Sequence, residues 1–277
     1  MLSIIVAVHN QLAMNQLFWE HLSQSTEGEW ELIIIDNLST DGSREFFQSV
    51  GATVIENPGN YSYPYCQNRG IEIAKGDFLA FLNNDIVVPK GWNTHLTASM
   101  AQNGLDVLTS CGVERVENKA RTKKLKRRWQ WIKGLVALCL GKNKFSLALM
   151  HRWMYPNWPA FFNQRMADFK YKTIEGFVGN TVMMSRRAIE LIGPWDDRIQ
   201  AADFDLYLRA KTRARDHGDI QPVCIALDVF VHHYIRLTLG DGYPPFVDKD
   251  RLIGLEDKWS ADDLKLLDSM RDDVKPA

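Results

Sequence analysis

The chain has 277 residues, 45 % of them apolar and 24 % charged, a globular composition with enough apolar mass for one large α/β domain or two small ones. The net charge of −1 hides an asymmetry: Lys119 to Arg165 holds twelve Lys or Arg and no acid, leaving the remainder near −13. Four widely separated cysteines (Cys66, Cys111, Cys139, Cys224) match no zinc spacing and fit free thiols in a reducing compartment.

Leu2–Val8 is an apolar run ending in His9-Asn10. It has no basic leader and is too short for a signal peptide or a membrane span, so it reads as a first strand in a cytoplasmic protein. A helix is expected to about Ser25, a second strand over Glu31–Ile35 ending in Asp36-Asn37, then "STDGS" and two helical turns. Ala52–Ile55 is a short third strand, Ser62–Ala74 a helix, Phe78–Leu82 a fourth strand, and Asp106–Ser110 a fifth. Strands apolar on both faces and alternating with helices predict a mainly parallel sheet covered by helices.

After a basic, Trp-rich segment of roughly 115–170 the α/β pattern returns with "GFVGNTVMMSRRAIELIGPWDDRI". A helix is expected over Ala202–Asp216, a strand near Pro222–Ile225, and "DVFVHHYIRLT" completes the core. In the tail, Ser260 with Asp263 three residues on reads as a helix N-cap.

Ligands of such sheets bind at the carboxyl ends of the strands. Three strands here end in polar groups: His9 and Asn10, Asp36 and Asn37, Asn83 to Asp85. Any one of them reads as a turn or cap, but three on one sheet edge point to a site. Asp85 is suited to holding Mg²⁺ or Mn²⁺ against a diphosphate, because these ions prefer oxygen ligands and keep phosphates and water in their shell. Asn84 is a weaker ligand and is expected to orient a water or touch a ribose.

The segments "SIIVAVHNQ", "ELIIIDNLSTDGS", "NYSYPYCQNRGIEIAKGDFLAFLNNDIVVPKGW", "GFVGNTVMMSRRAIELIGPWDDRI", "AADFDLYLR" and "VFVHHYIRLT" stand in the order of one known family. With them the chain resembles glycosyltransferase family 2 of the GT-A fold, over about residues 1–112 and 174–240. The "DN" and "NND" forms look like its rhamnosyltransferase-like branch. The resemblance implies a Rossmann-like mixed, mainly parallel sheet flanked by helices, with a basic Trp-rich helical insert and a C-terminal helical tail. It implies a single catalytic domain over 1–240, made of a nucleotide-sugar half (1–112), the insert (113–172) and an acceptor half (173–240), followed by a tail (241–277).

It also implies an inverting hexosyl- or deoxyhexosyltransferase that uses a nucleoside-diphosphate sugar and a divalent cation, Mn²⁺ or Mg²⁺. The acceptor would be a glycan or lipid-linked glycan in surface polysaccharide biosynthesis. Asp36 matches the carboxylate that meets the nucleobase, with Ala7, Val8 and His9 lining the same pocket. Asn10, Asn37, Asn68, Arg69, Asn83 and Asn84 complete the implied donor side.

Asp85 matches the last acid of the DxD motif and His233 a metal-ligating histidine, with Thr238 five residues on fixing the register. Asp203 matches the general base. Gly176, Gly179, Asn180, Trp195 and Asp205 are implied on the acceptor side. The chain departs from the pattern at Ala202, where the family has an acid, and at Tyr65, where it often has a Lys or Arg; the latter shifts phosphate stabilisation toward the metal or Arg69.

Residue phase narrows two of these choices. Helical spacing rotates Asp205 about 200° from Asp203, so one is expected at the site and the other as a surface or cap residue. Adjacent strand residues face opposite ways, so His232 and His233 cannot both be ligands; His233 is the better match and His232 the fallback.

In the insert, Lys123, Lys124, Lys126, Arg127 and Arg128 with Trp129 and Trp131 suit a helix on an anionic membrane surface, at the inner face of the cytoplasmic membrane. Each basic residue there contributes about 1 kcal/mol. A solvated basic face over core aromatics is the other reading of those residues, and no nucleic-acid module accompanies them. Two rival functions share the same residues. One is a catalytically weak or inactive nucleotide-binding, membrane-docked module of a larger assembly. The other is a nucleotidyltransferase, which the absence of a Gly-rich, Lys-bearing phosphate loop after the first strand disfavours.

Overall fold

A computed structural model describes residues 1–237 and 244–268. Nine strands form one sheet in the order β3-β2-β1-β4-β8-β6-β9-β5, with β7 paired to β9. β1 (Leu2–Val8), β2 (Trp30–Asp36), β3 (Thr53–Glu56) and β4 (Phe78–Leu82) run parallel, joined by α1 (Leu12–Ser25), α2 (Ser43–Ser49) and α3 (Tyr63–Ile73). After β5 (Ile86–Val87) and α4 (Trp92–Asn103) comes β6 (Val107–Gly112). β8 (Thr181–Ser185) lies antiparallel between β4 and β6, and β9 (Cys224–His233) runs parallel to β6.

Alternation decides which helix each strand side chain meets. Leu2, Ile4, Val6 and Val8 of β1 pack with Phe18 and Leu22 of α1 and Trp92 of α4. Ile5, Ile33, Ile35 and Phe81 face the other way, into a second core that holds Cys66 of α3, Leu206 and Tyr207 of α9 (Ala202–His217) and Ala188 of the short α8 (Arg186–Ile192). Both faces are dry, which is why these strands read as continuous apolar runs.

The expected strand near 222–225 and the later "DVFVHH" run are one strand, β9. Its register against β6 shifts between Ser110 and Cys111, so the 227–229 stretch is passed over. Asp228 at this irregularity accepts the Tyr171 backbone N–H at 2.9 Å, and its polarity is what made the sequence look like two elements.

The insert folds as α5 (Lys119–Leu140), α6 (Lys144–Met154) and α7 (Trp158–Phe169), followed by β7 (Thr173–Glu175). Asn118, Asn143 and Asn157 cap the three helices through their side-chain oxygens. Trp129, Ile132 and Val136 of α5, with Leu147, Met150 and Tyr155, form a third core against Phe230 and Tyr234. Among the described residues no helix is long and apolar enough to cross a membrane.

Among its described residues the tail forms two 3₁₀ turns (Lys249–Arg251, Leu255–Asp257) and the short α10 (Ala261–Lys265), capped by Ser260. It is tied down by Asp248, which accepts from the Ser62 N–H (3.0 Å) and hydroxyl (2.6 Å). Thr238 lies outside the described residues.

Candidate active site

A cavity of ≈ 620 Å³ opens at the carboxyl ends of β1, β2 and β4, where the polar strand ends converge. Ala7, Val8, His9 and Asn37 form one wall, Asn83 to Asp85 the floor, and Gly179, Asn180 and Asp203 the opposite wall. The end of β9 contributes His233, and the turn after it Ile235 and Arg236.

The floor corner is fixed by sheet register. β5 pairs antiparallel with β9 so that Ile86 faces His233, and the Tyr234 N–H donates to the Asp85 carbonyl at 2.9 Å. The His233 Nε2 then lies 3.1 Å from Asp85 Oδ1, and its Nδ1 bonds Glu114. Burial alone would push the His233 imidazole down, but the Asp85 and Glu114 carboxylates outweigh it and hold it well above its usual range. Asn180 Nδ2 donates to the second Glu114 oxygen at 3.2 Å.

His232 points the opposite way. It is fully buried between Trp129 (5.0 Å between rings) and Tyr234, with its Nδ1 3.2 Å from the Tyr155 hydroxyl, and burial holds it well below the usual range.

The two candidate acids of α9 also separate. Asp203, half-buried in the first turn, faces the cavity, and burial pushes its carboxyl up to about 6. A Cβ on Gly179 would collide with this carboxylate, so the glycine makes room for the acid. Asp205 is completely buried on the far side, where it pairs with Arg209 (2.8 Å) and Lys258 (2.6 Å) and accepts from Trp259 Nε1 (2.9 Å). It is neither surface, cap nor cavity residue: it anchors the tail.

Other expected residues support the cavity without lining it. Asp36 is fully buried, its carboxylate held by the Arg44 guanidinium (2.8–2.9 Å) and the Ser39 N–H, so a nucleobase bond there must share the acid with Arg44. Asn10, in the left-handed region (φ 57°), ties the β1 end to the β2–α2 loop by accepting from the Thr40 N–H at 2.8 Å. Asn68 binds both backbone groups of Trp195 (3.0 and 2.7 Å), whose ring packs edge-on to Tyr63 and Phe81.

Arg69 reaches the Glu56 carbonyl (3.1 Å) and Asn57 rather than the cavity. Gly176 (φ 147°) lies behind β9, where a Cβ would come within 2.5 Å of Arg115. Asn84 does line the floor, with its amide donating to Asn15 Oδ1 at 2.7 Å, and Asn37 is a buried hub for Asn57, Asn60 and Tyr61.

Of the cavity residues not singled out from sequence, three bear on its chemistry. Glu114 follows β6 in a loop without motif character. Arg236 adopts the left-handed region (φ 56°) and is the one Lys or Arg lining the cavity among the described residues. The Tyr63 hydroxyl is buried with no hydrogen-bond partner among the described residues, and the Asp203 charge adds to burial in pushing it well above the usual phenol range. Tyr65, at the position where a basic residue was looked for, stacks on cavity-lining Tyr61 at 4.3 Å.

The model for glycosyl transferase family 2 matches residues 3–193, more than half of the sequence. The chain belongs to glycosyl transferase family 2. It is 38 % identical over 86 residues to an uncharacterized glycosyltransferase of Haemophilus influenzae, covering 31 % of this chain and 29 % of that protein. It is 26 % identical over 114 residues to glycosyltransferase AglE of Haloferax volcanii, covering 38 % and 37 %. The matched stretches thus span about a third of those relatives' lengths.

The GT-A fold is shared with a mannosyltransferase of Pyrobaculum calidifontis solved with GDP-Man and Mn²⁺ (TM-score 0.51, 14 % identity, 81 % of this chain and 56 % of that one). It is shared too with S. aureus TarS residues 1–349 (TM-score 0.50, 14 % identity, 84 % and 60 %).

Proposed function

We propose that this family 2 protein is an inverting glycosyltransferase that moves a sugar from a nucleoside-diphosphate donor to a hydroxyl of a glycan or lipid-linked glycan. The observation that carries this reading is one cavity lined both by a carboxylate–imidazole corner, Asp85 and His233, and by a carboxylate from a different element, Asp203 of α9.

A divalent cation fits this corner. Among the described residues no cluster of three His, Cys, Asp or Glu forms a ready-made cage. Asp85 and His233 would supply one oxygen and, once the ion displaces the Nε2 proton toward which Asp85 biases the ring, one nitrogen donor, a set suited to an ion completed by water and diphosphate oxygens. Bound there, Mn²⁺ or Mg²⁺ would place positive charge on the departing diphosphate. Glu114, bonded to the other His233 nitrogen, orients the ring. Arg236 brings a further cation to the same mouth and takes the part that Arg69 and Tyr65 do not.

Asp203 acts on the acceptor. Its carboxylate takes the proton of the attacking hydroxyl as the oxygen bonds the anomeric carbon and the bond to the diphosphate breaks. A single displacement of this kind inverts the anomeric centre. A carboxyl near 6 is a stronger base than an ordinary aspartate and still mostly ionised at neutral pH. Ala202 leaves this base without an acidic neighbour in sequence; burial against Gly179 tunes it instead.

The donor sugar is a hexose or deoxyhexose on this reading, and the work is in surface polysaccharide assembly on the cytoplasmic side. The test is product release from a panel of nucleotide sugars with Mn²⁺. Metal-dependent nucleoside diphosphate release that Asp203→Ala abolishes is expected. Wild type and variant equally inert would favour the nucleotide-binding module, and pyrophosphate as product would favour nucleotidyl transfer.

A further inference from the structure

The α5–α6 hairpin carries a surface that the cavity does not account for. Trp129, Ile132 and Val136 turn one side of α5 into the third core. The opposite side faces solvent along its whole length, and its two halves differ. Lys123, Lys124 and Arg127 are exposed in the first half; Trp131 (65 % exposed) and Leu138 (85 %) follow in the second. The tip adds Phe145 (68 %) and Leu140 (43 %).

Of the eleven large apolar side chains exposed among the described residues, six lie on this hairpin while the rest are scattered singly. Exposed large apolar side chains gathered on one hairpin point to a contact surface, whereas isolated ones do not. No acidic residue occurs between Glu117 and Asp168, so nothing on the hairpin opposes an anion.

We propose that this hairpin docks the protein on an anionic lipid bilayer, with α5 lying flat, its basic half on the headgroups and the tip leucines and phenylalanine below them. Exposed aliphatic tips beside a basic row suit a surface that is charged outside and apolar beneath. A phosphate backbone alone would leave Leu138 and Leu140 unburied. Lys123 to Leu138 spans about 22 Å of helix, so a flat helix presents both halves at once.

The hairpin also touches the cavity mouth. Trp129 Nε1 and Lys133 Nζ both donate to the Ile235 carbonyl (3.3 Å each), and Lys142 Nζ to the Leu237 carbonyl (2.9 Å). Ile235 and Arg236 line the cavity, so docking sets its mouth beside the bilayer, where a lipid-linked acceptor would arrive. Only this last point rests on the glycosyl-transfer reading; docking itself is read without activity.

The experiment is co-sedimentation of the full chain with phosphatidylcholine vesicles, with and without phosphatidylglycerol. Wild type should bind the anionic vesicles at least about tenfold more tightly than the neutral ones. K123E/K124E/R127E should lose on the order of a hundredfold. L138S/F145S keeps the charge and should lose about tenfold or more. All five side chains are exposed, so melting temperatures should match the parent.

No wild-type preference for anionic vesicles would overturn docking, whatever the variants do. Full vesicle binding by L138S/F145S, with single-stranded RNA displacing the protein, would make the surface a polyanion site instead.

Discussion

The strand-end cavity and the helical insert use the same residue types to opposite ends. At the floor of the cavity and behind it, charged groups are paired: His233 sits between Asp85 and Glu114, and Asp36, which backs the cavity, is held by Arg44. On the α5–α6 hairpin, Lys123, Lys124 and Arg127 stand exposed with no acid on either helix, over a core of aromatic and aliphatic side chains. Preorganised charge suits a site that must stabilise a transition state. Loose charge over an apolar tip suits a surface that adapts to what it meets. The same division runs within α9, where Asp203 faces the cavity and Asp205, two residues on, is locked into a buried ion network.

That contrast can be broken most severely at Asp203. Asp203→Asn should lower turnover by roughly 10² to 10⁴ while nucleotide binding stays near the parent level, read by steady-state kinetics and calorimetry. Asp205→Ala should do the reverse. It takes a carboxylate from Arg209 and one of two from Lys258, which keeps Asp196, at a cost of about 1–3 kcal/mol measured by urea unfolding, with the surviving folded protein active.

The insert allows a matched pair. Trp129→Ala should cost about 3–5 kcal/mol because its ring is core, whereas Trp131→Ala should stay within about 0.5 kcal/mol and weaken vesicle binding instead. Glu114→Gln should weaken metal-dependent nucleotide binding by about 10- to 100-fold, as expected for a group that orients a ligand.

A milder perturbation is pH. The base must be ionised, and burial raises its carboxyl to about 6, so kcat/KM should fall about tenfold per unit below pH 6 and level off above it. Linkage gives the stability sign. The folded state holds the Asp203 proton more tightly than the unfolded chain, so stability declines as pH rises from about 4 through 6. Asp203→Asn should therefore be the more stable protein at pH 8, which thermal melts in parallel buffers would read.

The sheet was legible because its strands are apolar on both faces and each ends in polar groups at one edge. Asp85 could be singled out because a strand end is a local property. Asp203 and His233 were named by the family resemblance, helix and strand phase saying only that Asp205 and His232 could not share their side. What escaped depends on distant chain. Asp205 finds its partners at Lys258 and Trp259, more than fifty residues on, and Glu114 and Arg236 sit in loops without periodicity. Arg69 and Trp195 were placed at the site by motif, yet their side chains are spent on Asn57 and on Tyr63 and Phe81. Trp129 and Trp131 look alike in composition; only the 129–132–136 spacing, read against a known core, tells buried from exposed.

The central claim is that one cavity holds a donor corner at Asp85 and His233 and an independent base at Asp203. Calorimetric titration with UDP and GDP in the presence of Mn²⁺, on wild type, Asp85→Asn and Asp203→Asn, tests it most directly. Metal-dependent binding that Asp85→Asn loses and Asp203→Asn retains is the predicted result. Binding that survives Asp85→Asn, or is lost equally in both, would contradict it.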